Sequence, residues 1–137
     1  MKIKLTIILS LCLLAITTGL KAQTAEETAE WLNAKLPSLV LKDDWAKETS
    51  STTEILKQKT EVMEYKNITS ITSSHQEKTD EKLEHTKITF VGKFNETNKK
   101  DLVLKPTITD KELKSLIKAF THIAELNGAK IAKDDLF

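Results

Sequence analysis

Three histidines, His75, His85 and His122, are the side chains in this sequence best suited to ligate a metal or relay a proton. None stands three or four residues from another histidine, so no H-x-x-x-H metal pair exists. His75 and His85 flank a charged run from His75 to Glu84, where a hairpin would let them meet. No third ligand accompanies them, and no metal is expected there. His122 falls on the polar side of a helical pattern near Lys118 and Glu125, and reads as a solvated residue or a partner of Glu125. Asp43-Asp44 and Asp134-Asp135 are adjacent carboxylates; neighbouring side chains diverge, so both pairs read as solvated surface. Trp31 and Trp45 flank the first helical segment. Trp31 reads as packing, and Trp45, beside two acids, as an aromatic contact in a loop.

Several chemistries are excluded outright. After residue 22 the chain has only Gly92 and Gly128, too few for a P-loop or a dinucleotide fingerprint. No G-x-S-x-G elbow is present. Asn67-Ile68-Thr69 and Asn95-Glu96-Thr97 match the glycosylation pattern and read as turn chemistry. No catalytic constellation, cofactor or metal is therefore expected. The candidate contact residues are Trp45, His75 and His85.

The first 22 residues look like a secretory signal. Lys2 and Lys4 precede an apolar run from Leu5 to Leu20, and Lys21-Ala22-Gln23 offers a cut after Ala22. Cys12, the one cysteine, lies inside that run; Leu11 before it is too large for a lipobox. The expectation is residues 1–22 as signal peptide and 23–137 as one small α+β domain. Its expected address is the periplasm or exterior of a Gram-negative bacterium, with no transmembrane span after cleavage. The chain has 21 basic and 20 acidic residues. Lys2, Lys4 and Lys21 are lost with the signal and no acid is, so the processed chain is mildly acidic. Every basic residue other than histidine is Lys. Without Arg there is no bidentate fork for phosphate or guanine, which argues against nucleic acid as a partner.

The elements that must position the candidates are legible in part. Thr109-Asp110-Lys111-Glu112 fits a capping box, with Ile108 and Leu113 spaced as a hydrophobic staple. Leu113, Leu116, Ile117, Phe120, Ile123, Ala124 and Asn127 form one helical stripe, opposite Lys111, Lys114, Ser115, Lys118, Thr121, His122 and Glu125. Gly128 suits the residue that closes the last turn. Thr24 to Glu27 is a second capping box, opening a short amphipathic helix that Pro37 is expected to end at Leu36. Leu39 to Leu41 fits a short strand, and Glu48 to Thr53 a polar break.

Thr52 to Gln58, Thr60 to Lys66 and Ile68 to Ser73 read as strands on their β-branched content, with turns at Lys59 and Asn67. Ile55, Leu56, Val62 and Met63 also fit one helical face, so a helix over this stretch is the competing reading. His75 to Glu84 reads as a charged tip, with Leu83 its one large apolar residue. Thr86 to Phe94 is the clearest strand. Its Gly92 marks a bulge or a close backbone approach. Lys100 to Lys105 returns beside it, and a tail from Ala129 to Phe137 follows the last helix.

The expected fold is α+β: an antiparallel sheet or half-barrel of about five short strands, a short N-terminal helix, and a long C-terminal helix on the sheet. The hairpin Ile88 to Leu104 followed by the helix Thr109 to Asn127 resembles, in element order, a pleckstrin-homology-like half-barrel capped by a helix. That resemblance implies the fold alone. The loop around Lys57 to Lys59 lacks the Arg of a phosphoinositide site, so lipid-headgroup binding is not implied. The expected function is a non-enzymatic, exported binding or interaction module. The alternative is a carrier of a small apolar or lipid-like ligand held between the sheet and the C-terminal helix.

Overall fold

The computed structural model describes residues 23–41 and 48–132 of the chain. Helix α1 spans Ala25–Leu39. Six strands follow: β1 Thr49–Ser51, β2 Ile55–Gln58, β3 Glu61–Glu64, β4 Ile68–Gln76, β5 His85–Gly92 and β6 Lys99–Leu104. A 3-10 turn, Tyr65–Asn67, joins β3 to β4, and helix α2 spans Asp110–Leu126. The class is α+β. The single sheet of about five strands is corrected to two three-stranded antiparallel sheets, ordered β1-β2-β3 and β4-β5-β6.

Both helices begin where their capping boxes put them. The Thr24 hydroxyl accepts from the Glu27 N–H at 3.1 Å and the Glu27 carboxylate from the Thr24 N–H at 3.2 Å. Thr109 and Glu112 repeat the exchange at 3.1 and 3.0 Å. Pro37 does not end α1, which runs through it to Leu39. Proline removes one N–H, but the next turn still closes: Val40 donates to the Leu36 carbonyl at 3.0 Å. Leu39 is consequently helical, and the strand expected over Leu39 to Leu41 shrinks to one bridge, Val40 with Leu104.

The strands expected around Lys59 and Asn67 are present, and the helical alternative for this stretch is not. Lys59 takes φ +55° in the two-residue turn between β2 and β3. The predicted polar break at Glu48 to Thr53 conceals β1. Its Ser51 is held in both directions by one α1 side chain: the Asn33 amide donates to the Ser51 carbonyl at 2.8 Å and its oxygen accepts the Ser51 N–H at 2.7 Å. A backbone edge satisfied by a side chain needs no apolar pattern, which is why alternation does not reveal it.

Gly92 fills the role its position predicted. The β4–β5 register shifts between Ile68 and Ser70, opposite Gly92 and Val91. A Cβ on Gly92 would lie 2.1 Å from the Asn67 carbonyl oxygen. Gly128 closes α2 at φ +95°.

One buried cluster draws on every layer. Leu32 and Leu36 come from α1, Leu56 and Met63 from the first sheet, and Ile71, Ile88, Phe90, Leu102 and Leu104 from the second. Leu116, Ile117, Phe120 and Ile123 come from α2. Phe120 is central: its ring meets Phe90 edge-on at 5.0 Å and lies 6.4 Å from Tyr65. Tyr65 sits fully buried with its oxygen 2.6 Å from Ser51 Oγ. Ser51 spends its one proton on the Thr52 carbonyl at 2.9 Å, so the phenol is the donor to Ser51. At the far end of α2 the Asn127 amide reaches the Thr53 carbonyl at 2.7 Å, tying the helix to the β1–β2 connection.

Candidate functional site

The second sheet has one face on the core and one toward solvent. Thr86, Ile88 and Phe90 of β5 turn inward; His85, Lys87, Thr89 and Val91 alternate with them and turn outward. On β6, Leu102 and Leu104 are inward, and Asp101 and Val103 outward. Polar pairs occupy the middle of the outer face. The Thr89 hydroxyl donates to Asp101 Oδ1 at 2.7 Å, and Lys87 Nζ lies 3.8 Å from Asp101 Oδ2.

Beyond those pairs, toward the β4–β5 connection, the face becomes apolar. The chain leaving α1 crosses here along the outer edge of β6. The Lys105 N–H donates to the Leu39 carbonyl at 2.9 Å, and the Leu41 N–H to the Val103 carbonyl at 3.2 Å. Val40 and Leu41 thus stand beside Val103, with His85 on the neighbouring strand. The connection folds over them in a tight turn: the Thr79 N–H donates to the Lys82 carbonyl at 2.9 Å, and the Thr79 hydroxyl accepts the Lys82 N–H at 3.0 Å. The result is a groove of about 420 Å³ lined by Val40, Leu41, Glu81, Lys82, Leu83, His85 and Val103. Leu83 keeps 63% of its surface exposed there.

His85 is held as part of the groove wall. Its Nδ1 donates to the Leu83 carbonyl at 2.9 Å, which fixes the ring. His75 is elsewhere. It pairs in register with Thr86, whereas His85 pairs with Gln76, so the two histidines sit at adjacent register positions on opposite faces. The expected meeting across the hairpin does not occur. His75 Nε2 instead donates to the Glu84 carboxylate at 3.2 Å, and its Nδ1 lies 3.2 Å from the Thr86 hydroxyl. Both residues belong to strand ends, so the loop expected from His75 onward is shorter than predicted. Trp45, the third candidate, lies outside the described residues, as do Asp43, Asp44, Asp134 and Asp135.

Other surface features carry less chemistry. A depression on the first sheet, about 550 Å³, sets Lys57 and Lys59 beside Glu48, a mixture of signs. A cleft of about 240 Å³ lies between α1 and the start of α2, lined by Trp31, Lys35 and Glu112 among others. The Glu112 carboxyl is held below its usual range by the Thr109 hydrogen bonds, aided by Lys105 and Lys35, so it is already committed to capping. Trp31 packs, half-buried, against the core. Among the described residues no three His, Cys, Asp or Glu side chains gather as a metal set. No described helix is long and apolar enough to cross a membrane.

Of the groove residues, the sequence alone marks His85 as a candidate contact and Leu83 as the lone large apolar side chain in a charged run. Val40, Leu41 and Val103 were not recognisable, because they meet only through the α1–β6 edge pairing. No protein-family model matches this chain, and no curated protein or solved structure shows significant similarity to it.

Proposed function

We propose that this protein is an exported, non-enzymatic interaction module that receives an apolar side chain of a protein partner in the Val40–Leu83–Val103 groove. The observation that carries the reading is Leu83, a large apolar residue left exposed beside other apolar side chains at the rim of a charged loop. A scattered exposed leucine needs no explanation, but one that completes a concave apolar patch marks an interaction surface. Glu81, Lys82 and His85 supply the polar rim that orients a ligand on such a patch. Export rests on the signal-like residues 1–22.

The carrier alternative places its ligand between sheet and helix. Phe90, Phe120, Ile71, Ile88 and Leu116 fill that interface, and an apolar guest there would have to displace them. Native mass spectrometry of the mature protein separates the two readings. A stoichiometric polypeptide adduct, lost in Leu83→Asp, supports the module. A co-purifying small apolar molecule retained by Leu83→Asp supports the carrier and removes the groove from the account.

A further inference from the structure

Residue 23 would be the first of the processed chain, and it is not a loose end. The His122 imidazole, 99 positions away in sequence, donates through Nε2 to the Gln23 carbonyl at 2.6 Å. A carbonyl can only accept, so Nε2 carries the proton. The Gln23 side-chain Oε1 is buried with no hydrogen-bond partner, and so is the hydroxyl of Thr121, the residue before His122. Thr24 next in line is the N-cap of α1. Gln23 therefore occupies a half-buried seat between the start of α1 and the flank of α2.

A free terminal ammonium fits that seat poorly. It would stand one residue ahead of the N-cap, at the positive end of the α1 dipole. It would also lose hydration in a half-buried position, a cost that falls on the charged form. Terminal glutamine has an escape that needs no other reactant. The α-amine attacks its own side-chain Cδ, the new C–N bond closes a five-membered lactam, and the Cδ–Nε2 bond breaks. Ammonia leaves with the proton shed by the amine. The charge disappears, Oε1 remains as the ring carbonyl, and the amine becomes a neutral lactam N–H.

We infer that the mature chain begins with a pyroglutamyl residue derived from Gln23, seated on α2 at His122. The inference rests on removal of residues 1–22. A neutral ring, whose carbonyl keeps the buried Oε1, suits this half-buried position better than an ammonium does, and the His122 bond to the residue-23 carbonyl is kept.

The test is the intact mass of the full chain expressed with its own leader and recovered from a bacterial periplasm. The expected product is chain 23–137 lighter by one ammonia. Chain 23–137 at the mass of open glutamine overturns the lactam and leaves export standing. A chain cut elsewhere overturns the lactam at Gln23 and leaves export standing; an uncut chain overturns both. Seating is read with pyroglutamyl peptidase, which should release the ring from the unfolded protein but not from the folded one. His122→Ala should open the folded protein to the enzyme, and His122→Gln, which retains a donor, should keep it closed. Equal release from folded and unfolded wild type overturns the seat.

Discussion

Tyr65 is the single tyrosine of the chain, buried in the common core where the 3-10 turn leaves the first sheet. Burial pushes its phenol far above the ordinary value, only partly offset by the hydrogen bond with Ser51. The folded state thus holds the neutral phenol after the unfolded chain has begun to ionise. Stability from this group is complete below the unfolded pKa of about 10 and is lost as pH rises from there through the folded value. Because no other tyrosine contributes, phenolate absorbance during an alkaline titration should rise only with unfolding. A phenolate signal that appears while the circular dichroism is still native would contradict the burial. Tyr65→Phe should remove the alkaline sensitivity while costing about 1–3 kcal/mol at neutral pH, since Ser51 Oγ loses its donor in a dry site. Asn33 is the comparable clamp on α1. Asn33→Ala leaves the Ser51 N–H without its partner, and urea denaturation should show a loss of about 1–3 kcal/mol. Neither role was readable beforehand: Asn33 and Ser51 are polar residues in polar stretches, and only their approach gives them meaning.

At the scale of elements, α2 carries the fold. Phe120 meets the rings of Phe90 in the second sheet and Tyr65 in the turn that joins the two sheets, so Phe120→Ala should destabilise by roughly 3–5 kcal/mol, read as a lowered denaturation midpoint at unchanged denaturant slope. Gly92→Ala should cost about 1–3 kcal/mol or more, because its new methyl meets the rigid Asn67 carbonyl and the β4–β5 bulge must shift. These were the features most legible in the sequence. A capping box, a 3.6-residue stripe and an isolated glycine in a strand are local signals with local causes. The stripe was too narrow in one respect. Ala119 is buried, and Thr121 and His122 are half-buried, because α2 packs on α1, the 3-10 turn and β4 at once. His122 is accordingly no solvated residue; it holds Gln23. What stayed hidden was pairing between distant segments: the β1 edge, the Val40–Leu104 bridge and the division into two sheets. Each is set by which strand edges remain free once the rest has packed, and no window of sequence contains that information.

Among the described residues Tyr65, Phe90 and Phe120 are fully buried, and the exposed large apolar side chains are Val62, Leu83, Val91 and Leu126. Val62 at 47% exposure, on β3, and Leu83 at 63%, in the β4–β5 connection, mark two separate candidate interaction faces. Val62 sits on β3 opposite Lys57. Leu83 overhangs a groove floored by the α1–β6 crossing. The functional proposal depends on that difference: an apolar residue beside a concavity can be covered by a partner, whereas one on a charged strand stays wet. The direct measurement is site-specific photo-crosslinking of the exported protein in its producing cell, with the photoreactive residue at position 83 in one variant and at position 62 in the other. The account predicts one discrete polypeptide adduct from position 83, abolished by Val103→Asp at unchanged thermal stability, and none from position 62. Equal adducts from both positions, or an adduct from 62 alone, would contradict it.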